Sequence, residues 1–249
     1  MIEFQGLSKS YGSFHAVHPL HLAVRPGEVF GFLGPNGAGK TTTIRMMMGI
    51  LVPSAGRVVI NGLDCHADAA AVKRHVGYLP DNPIFYDYLR GREILQFVAE
   101  MHGYARADAA ARAQRLLHEL ALDEVTDEYA VNYSMGMKKK LGLACALIHE
   151  PKVLILDEPI NGLDPRASRD VQERLLAAAA QGTTIFVSTH LLDMAERLCD
   201  RVGIIHRGAL AATGTLAELR GAASADSSLE EVFMKVTDEA AGADAAPAA

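Results

Sequence analysis

The chain has 249 residues, 30 of them acidic and 24 basic, and a formal net charge of -6; this length suits one α/β domain with an inserted subdomain, and an acidic balance without a long basic run argues against a nucleic-acid partner. Its three cysteines are far apart and form no Cys-x-x-Cys pair, so neither a disulfide framework nor a zinc site is suggested. This cysteine usage fits a reducing cytoplasm. No segment approaches the roughly 18 apolar residues needed to cross a bilayer, so we expect any membrane attachment to be peripheral and through a partner.

The first part of the chain predicts antiparallel strands. Short segments of alternating apolar residues extend from Ile2 to about Val24, and turn residues at 11–13 and 25–27 interrupt them. Residues 28–33 then form a compact apolar run, and residues 41–48 have helical composition. A strand, a glycine-rich loop and a helix therefore follow one another.

That loop has the composition of a phosphate-binding loop, because a triphosphate needs many donors brought close without side chains in the way. We expect main-chain N–H groups of residues 36–42 to surround the β-phosphate, Lys40 to bridge the β- and γ-phosphates, and the Thr41 hydroxyl to ligate Mg²⁺. A chance glycine turn is the alternative, but the Lys-Thr pair at the helix start argues against it. The predicted nucleotide-binding residues here are Asn36, Gly37, Ala38, Gly39, Lys40, Thr41 and Thr42.

Between about Asp87 and Leu147 the strand pattern disappears and apolar residues recur at helical spacing, which predicts an inserted helical subdomain. After Pro151 strands and helices alternate, with strands predicted at 153–156, 184–187 and 202–205; this alternation indicates a largely parallel sheet.

Two carboxylates, Asp157 and Glu158, end the apolar strand that begins at Val153, where parallel sheets place their ligands. We expect Asp157 to hold Mg²⁺, through its water, and Glu158 to act as the general base for the water that attacks the γ-phosphate. A pair of surface acids at a strand end is the alternative.

The predicted fold is an α/β P-loop NTPase, with a mostly parallel sheet core, an N-terminal antiparallel β subdomain and an inserted α-helical subdomain. It forms a single domain over residues 1–236. The expected parts are an antiparallel part at 1–27, a nucleotide-binding core at 28–86 and 148–220, a helical subdomain at 87–147 and a disordered Ala-rich tail at 237–249.

Several short motifs in one order resemble the ATPase subunits of ABC transporters, from Ile2 to about Val236. In chain order they are Tyr11, the phosphate loop, Gly77-Tyr78-Leu79-Pro80-Asp81, Tyr133-Ser134-Met135-Gly136-Met137, Leu156-Asp157-Glu158-Pro159, Gly162-Leu163-Asp164 and Ser188-Thr189-His190. The resemblance implies an ATPase with ATP and Mg²⁺ as cofactors. It also implies that Tyr11 and Val17 pack against the adenine ring, and that His190 reaches the γ-phosphate as a sensor in the catalytic site.

The same resemblance implies a dimer. Ser134 and Gly136 would touch the ATP held by a second ATPase subunit, identical or paralogous, so that two subunits pack head to tail around two ATPs, and Asp164 would shape the dimer contact. A transmembrane permease subunit would be the other partner. A solvated helix face is the expectation for Lys139 and Lys140, which follow the signature region.

Two departures from the family pattern stand out. Tyr133, Met135 and Met137 replace the Leu, first Gly and Gln of the usual Leu-Ser-Gly-Gly-Gln, which leaves the geometry of the closed dimer open. Asp81 stands where the family has a Gln that links Mg²⁺ to the membrane partner. Asp81 is therefore a candidate metal ligand that could hold Mg²⁺ more firmly, repel the γ-phosphate or make no metal contact in the resting state.

Residues 81–89 carry aromatic and aliphatic side chains, and in the family this surface receives the membrane subunit; a local packing cluster is the alternative. The favoured function is an ATPase subunit at the cytoplasmic face of the inner or plasma membrane that powers a separate permease. The residues of its motifs resemble those of the exporter branch of the family. The alternatives are a soluble ABC-type ATPase with a non-transport role and a regulatory module that holds ATP without turnover. Intact Glu158 and His190 argue against the last.

Overall fold

The structure is a computed structural model that describes residues 1–223 and 228–243. Two compact units make up the chain: one comprises residues 1–72 and the part from Phe186 onward, and the other comprises Lys73–Ile185. The strands are β1 (Ile2–Tyr11), β2 (Phe14–Val24), β3 (Val29–Leu33), β4 (Ala55–Ile60), β5 (Leu63–Asp64), β6 (Val76–Leu79), β7 (Val153–Asp157), β8 (Thr184–Thr189), β9 (Arg201–His206) and β10 (Ala209–Thr215).

The helices are of ordinary length, and two short 3-10 turns at Asp123–Val125 and Ala130–Asn132 separate the fourth from the fifth. They are α1 (Lys40–Met47), α2 (Ala69–Lys73), α3 (Gly91–Met101), α4 (Arg106–Glu119), α5 (Met135–Leu147), α6 (Pro165–Ala180), α7 (Leu192–Leu198), α8 (Leu216–Ala223) and α9 (Leu229–Ala243).

The first unit contains an antiparallel sheet with the order β2-β1-β4-β5. The sequence places 55–64 in the nucleotide-binding core, and that boundary is wrong, because β4 pairs with β1 and extends the antiparallel part beyond residue 27. Its hairpin partner β5 follows a turn in which Asn61 and Gly62 have φ values of 50° and 83°. Asn-Gly between two apolar runs is a strong hairpin signal, which could have identified the pair.

Within the same unit, β10, β9, β3 and β8 lie side by side in that order, with β3 and β9 parallel. The ring of Phe186 on β8 contacts Phe30 and Phe32 on β3, with centroids 5.8 and 5.4 Å apart, and Phe4 on β1 at 5.9 Å. Since Phe4 belongs to the antiparallel sheet, these rings join both sheets of the unit in one apolar core.

The second unit contains the parallel pair β6 and β7 and helices α3 to α6. Helices α3, α4 and α5 fall within residues 87–147, where the sequence predicts a helical insertion. Every residue of β7 is buried, which explains its continuous apolar run. The predicted α/β fold, with parallel strand pairs, an antiparallel sheet and a helical insertion, is confirmed.

The end of the chain differs from its prediction. The sequence predicts disorder from Thr237 onward, but α9 continues to Ala243; alanine and glutamate are strong helix formers even where little is buried. The remainder of the predicted tail, 244–249, lies outside the described residues. Among residues 1–223 and 228–243, no helix is both long and apolar enough to span a bilayer.

Candidate functional site

The phosphate loop joins β3 to α1 through a main chain that only glycine accommodates easily. Gly37 and Gly39 have φ values of 80° and 105°, in the left-handed region. A Cβ added at Gly39 would lie 2.6 Å from the carbonyl oxygen of Ala16. Because Gly39 is also the residue that precedes the first turn of α1, the loop leads directly to the positive end of that helix.

Lys40 lies inside this loop. Its side chain is buried, and its Nζ donates to the carbonyl oxygens of Gly34 at 2.6 Å and Pro35 at 3.2 Å. Thr41 is the next residue of α1 and is exposed, while Ala38 is buried and its carbonyl accepts from the N–H of Gly208 at 2.9 Å. A cation and an exposed hydroxyl are thus placed at the N-terminus of α1, which suits a bound polyanion.

Tyr11 and Val17 differ in their environment. Tyr11, at the end of β1, is 52% exposed and can receive a flat ring. Val17 has no exposed surface, and a Cβ on Gly39 would lie 3.3 Å from its Cγ2. This covered position does not support the predicted contact of Val17 with the adenine ring, which stays a prediction. Val17 supports the loop from beneath.

His190 directly follows β8 in the first unit. The carbonyl of Thr189 accepts from the N–H of Gly34, so the residue before His190 is bonded to the first glycine of the phosphate loop. The hydroxyl of Thr189 also accepts from the N–H of Leu191 at 3.0 Å, which fixes the turn around His190. The structure therefore connects the residue before His190 directly to the phosphate loop.

In the second unit, Asp157 ends β7 and Glu158 directly follows it, and both are buried. Glu158 has a φ of 48°, a left-handed conformation that is unfavourable for a side chain with Cβ. Its carbonyl oxygen accepts from the N–H of Asn161 at 3.2 Å. Such strain persists where the surrounding structure fixes it, and it is frequent at functional sites.

The structure contradicts the expectation that Lys139 lies on a solvated helix face. The side chain is 2% exposed, and its Nζ donates to the main-chain carbonyl of Glu158 at 2.6 Å and lies 3.3 Å from Oδ1 of Asp81. Burial lowers the pKa of the ammonium, and the Asp81 carboxylate acts in the opposite direction. Lys140 is also buried, paired with Asp170 at 2.8 Å. A helix pattern alone does not reveal which polar side chains find buried partners, which is why both lysines were missed.

Ser134 and Gly136 lie at the start of α5. The Ser134 oxygen accepts from the N–H of Met137 at 3.2 Å and caps the helix, while its hydroxyl proton is a donor that this cap does not use. Tyr133, in place of the family's Leu, is buried and donates to the carbonyl of Val125 at 2.7 Å. Tyr133 is therefore a packed core residue, and Met135 beside Ser134 is exposed.

Asp164 caps α6. Its carboxylate accepts from the N–H groups of Ala167 and Arg166, both at 2.9 Å, and these bonds hold the pKa of Asp164 below its usual value. The position that the resemblance assigns to a dimer contact thus also fixes the start of a helix, with Pro165 as its first residue.

The segment 81–89 exposes apolar side chains. Ile84, Tyr86 and Tyr88 are 87%, 69% and 82% exposed, whereas Pro83 is buried. These exposures argue against a packed cluster at Ile84 and Tyr86, whereas the ring of Tyr88 also lies edge-on to that of Tyr129, with centroids 6.5 Å apart. An exposed group of this kind indicates an interaction surface.

Comparison with known proteins adds independent information. Residues 17–161 match the protein family described as ABC transporter. The chain is 35% identical over 240 residues to YbhF of Escherichia coli, described as a probable multidrug ABC transporter ATP-binding protein; the alignment covers 95% of this chain and 41% of YbhF. The chain thus spans less than half of that relative's length.

Two further known proteins resemble this chain over most of both sequences. The bacitracin transport ATP-binding protein BcrA of Bacillus licheniformis is 40% identical over 211 residues, which is 84% of this chain and 68% of BcrA. A solved structure described as the ATP-binding subunit of an ABC transporter has a TM-score of 0.88 at 34% identity, covering 95% of this chain and 99% of that one.

Proposed function

Because the chain belongs to the ABC transporter family as an ATP-binding subunit, we propose that it hydrolyses ATP to drive transport by a separate membrane subunit. The observation that carries this proposal is the phosphate loop, in which Lys40 is held inside a turn that Gly37 and Gly39 permit. A loop of this shape at a helix N-terminus binds phosphates through its main-chain N–H groups.

ATP binding follows from the chemistry of the loop. Lys40 exchanges its bonds to the carbonyls of Gly34 and Pro35 for the β- and γ-phosphate oxygens, and the ammonium neutralises their charge. The exposed ring of Tyr11 stacks on the adenine. His190, whose neighbour Thr189 is bonded to the loop, senses the γ-phosphate.

Hydrolysis needs a base and a metal site. Mg²⁺ prefers hard oxygen ligands, and the Thr41 hydroxyl in the first unit and the Asp157 carboxylate in the second are each of a kind that would hold it. Bound Mg²⁺ supplies charge stabilisation on the phosphates. Glu158 takes the proton of the attacking water, and the Asp157 carboxylate would help to hold the metal.

A second ATPase subunit completes the site. The start of α5 offers the Ser134 hydroxyl and the main-chain N–H of Gly136, which are donors suited to a γ-phosphate. In the proposed dimer each subunit presents these donors to the ATP of the other. ATP binding closes the dimer and hydrolysis loosens it.

The membrane subunit docks on residues 81–89, where Ile84, Tyr86 and Tyr88 are exposed. In this proposal the membrane subunit holds the protein at the cytoplasmic face of the membrane. Export is the favoured direction, since YbhF is described as a multidrug protein and BcrA as a bacitracin transport protein.

The first test is ATP turnover by the full-length protein, alone and with its membrane subunit, compared with Lys40→Ala. Wild-type protein should release phosphate, and K40A should lose ATP affinity by about tenfold or more, since a charge-assisted contact is removed. Absence of turnover in the complete complex would refute the proposal.

Docking has its own test. Replacing Ile84 and Tyr88 together by serine should abolish copurification with the membrane subunit and leave ATP affinity unchanged. Leu176→Ser is the matched control, since Leu176 is also an exposed apolar residue, on α6. Equal retention of the subunit by both variants would place the docking surface elsewhere.

A further inference from the structure

Among the residues whose burial the structure describes, Lys139 is the most deeply buried charged side chain that the proposed mechanism does not use. It lies in the second turn of α5 with 2% exposure. A buried ammonium is unfavourable unless it is paired and hydrogen bonded. Its partners should therefore reveal why a lysine occupies this position.

Those partners are the two functional segments of the second unit. Nζ of Lys139 donates to the carbonyl oxygen of Glu158 at 2.6 Å and pairs with Oδ1 of Asp81 at 3.3 Å. One ammonium thus connects the main chain of the proposed general base to the residue that begins the docking segment. The Asp81 oxygen bonded to Lys139 faces a positive charge, which opposes a metal ion at the same atom.

The main chain at Glu158 requires such support. Its φ of 48° is a strained conformation for a residue with a side chain. The carbonyl that Lys139 binds belongs to this residue, and it also accepts from the N–H of Asn161. Fixing this carbonyl fixes the peptide plane, and with it the direction in which the Glu158 carboxylate leaves the chain.

The packing of α5 brings Lys139 to this place. Gly142 is one turn further along the same face of the helix, and a Cβ there would lie 2.7 Å from Leu79 Cδ1 and 3.2 Å from Pro83 Cβ. Leu79 and Pro83 flank Asp81 in sequence. The absent side chain of Gly142 therefore allows α5 to approach the Asp81 segment closely enough for the ion pair.

We propose that Lys139 is a positioning residue for hydrolysis, which holds the main chain of Glu158 and couples it to Asp81 at the edge of the docking segment. This inference rests on the proposed ATPase function. A displacement of the docking segment by the membrane partner would be transmitted through Asp81 and Lys139 to the orientation of the general base.

A purely structural ion pair is the alternative, and the neighbouring lysine provides a matched control. Lys140 is likewise buried, and its Nζ pairs with Oδ2 of Asp170 at 2.8 Å. Substituting either lysine by methionine removes a buried ammonium from the same helix turn, but only Lys139 contacts Glu158.

The experiment compares Lys139→Met and Lys140→Met in the full-length protein, with kcat, KM for ATP, the ATP dissociation constant and Tm. K139M should lower kcat by about tenfold or more with ATP affinity within about twofold, because misplacing a catalytic group affects turnover rather than binding. K140M should lower Tm to a similar extent and leave kcat within about twofold of wild type. Lys139→Arg, which keeps the charge, should restore part of kcat.

Equal kcat in K139M and K140M, or a parallel loss of kcat and ATP affinity in K139M, would overturn the inference. A double-mutant cycle with Asp81→Asn adds a second criterion. D81N should have little further effect on kcat when Lys139 is already methionine. If the effects of the two substitutions on kcat multiply instead, Asp81 acts independently of Lys139. If K139M does not fold, D81N alone decides, since unchanged kcat would contradict the coupling. A wild-type protein without turnover would refute the proposed function instead, which separates the two failures.

Discussion

The main-chain N–H of Gly34 donates a hydrogen bond to the carbonyl of Thr189, with 3.3 Å between the nitrogen and the oxygen. This bond connects the first glycine of the phosphate loop to the residue before His190. A change of loop conformation on nucleotide binding would therefore move the main chain that carries the proposed γ-phosphate sensor.

His190→Ala should lower the rate of ATP hydrolysis by about 100-fold, the magnitude expected when one polar contact to the developing charge is removed. Its affinity for ADP should be unchanged, because ADP has no γ-phosphate. Fluorescent nucleotide titration and phosphate release measure the two effects. His118→Ala, at an exposed histidine in α4, is the control. A loss of ADP affinity in H190A equal to the loss of turnover would mean that His190 supports the loop only.

Gly136→Ala and Gly142→Ala should have opposite effects on stability. A Cβ at Gly136 would meet only Leu163 at 3.6 Å and Ser134 at 3.9 Å, which are ordinary contacts, and alanine favours a helix by about 1 kcal/mol. A Cβ at Gly142 would collide with Leu79, which destabilises by about 1–3 kcal/mol.

The chain itself thus gives no steric reason for glycine at 136, whereas a phosphate from a second subunit would. G136A should unfold at the same or a higher Tm than wild type, yet fail to form the ATP-dependent dimer in size-exclusion chromatography. Normal dimerisation by G136A would argue against the proposed contact between Gly136 and the partner's ATP.

Stability should decrease in mild acid because of His149. Burial lowers the pKa of this imidazole from 6.5 to about 4, with further contributions from His102, stacked at 3.8 Å, and His75. The unfolded chain therefore binds more protons between these values, so stability falls as the pH decreases from about 6.5 to 4.

His149→Phe removes the titrating group and keeps a flat ring against His102. Urea unfolding at several pH values should give a smaller loss of stability between pH 6.5 and 4 for the variant than for wild type. Identical slopes would assign the acid sensitivity to other groups.

Local sequence predicted much of the candidate site. The phosphate loop is recognisable because glycines and the Lys-Thr pair must follow one another to bind phosphate. Asp157 and Glu158 are recognisable because a continuous apolar run predicts the buried strand that ends with them. The three methionines at 46–48 are buried, which is typical of methionine as a core-filling residue.

What the sequence did not predict depends on contacts between distant segments. Lys139 and Lys140 resemble a solvated helix face until Asp81 and Asp170 are found beside them. Val17 is buried close to Gly39, which lies more than twenty residues later in the chain. Such pairings arise from tertiary packing, which a periodicity of 3.6 or 2 residues does not encode.

The central claim is that this chain binds ATP at the phosphate loop and hydrolyses it with Glu158 as the general base. The most direct measurement is single-turnover hydrolysis of Mg²⁺-ATP by Glu158→Gln beside wild type, with ATP binding and oligomeric state followed in the same samples. We expect E158Q to bind ATP as wild type does, to lose hydrolysis by about 100-fold or more and to accumulate as an ATP-bound dimer. Hydrolysis by E158Q at the wild-type rate would contradict the assignment.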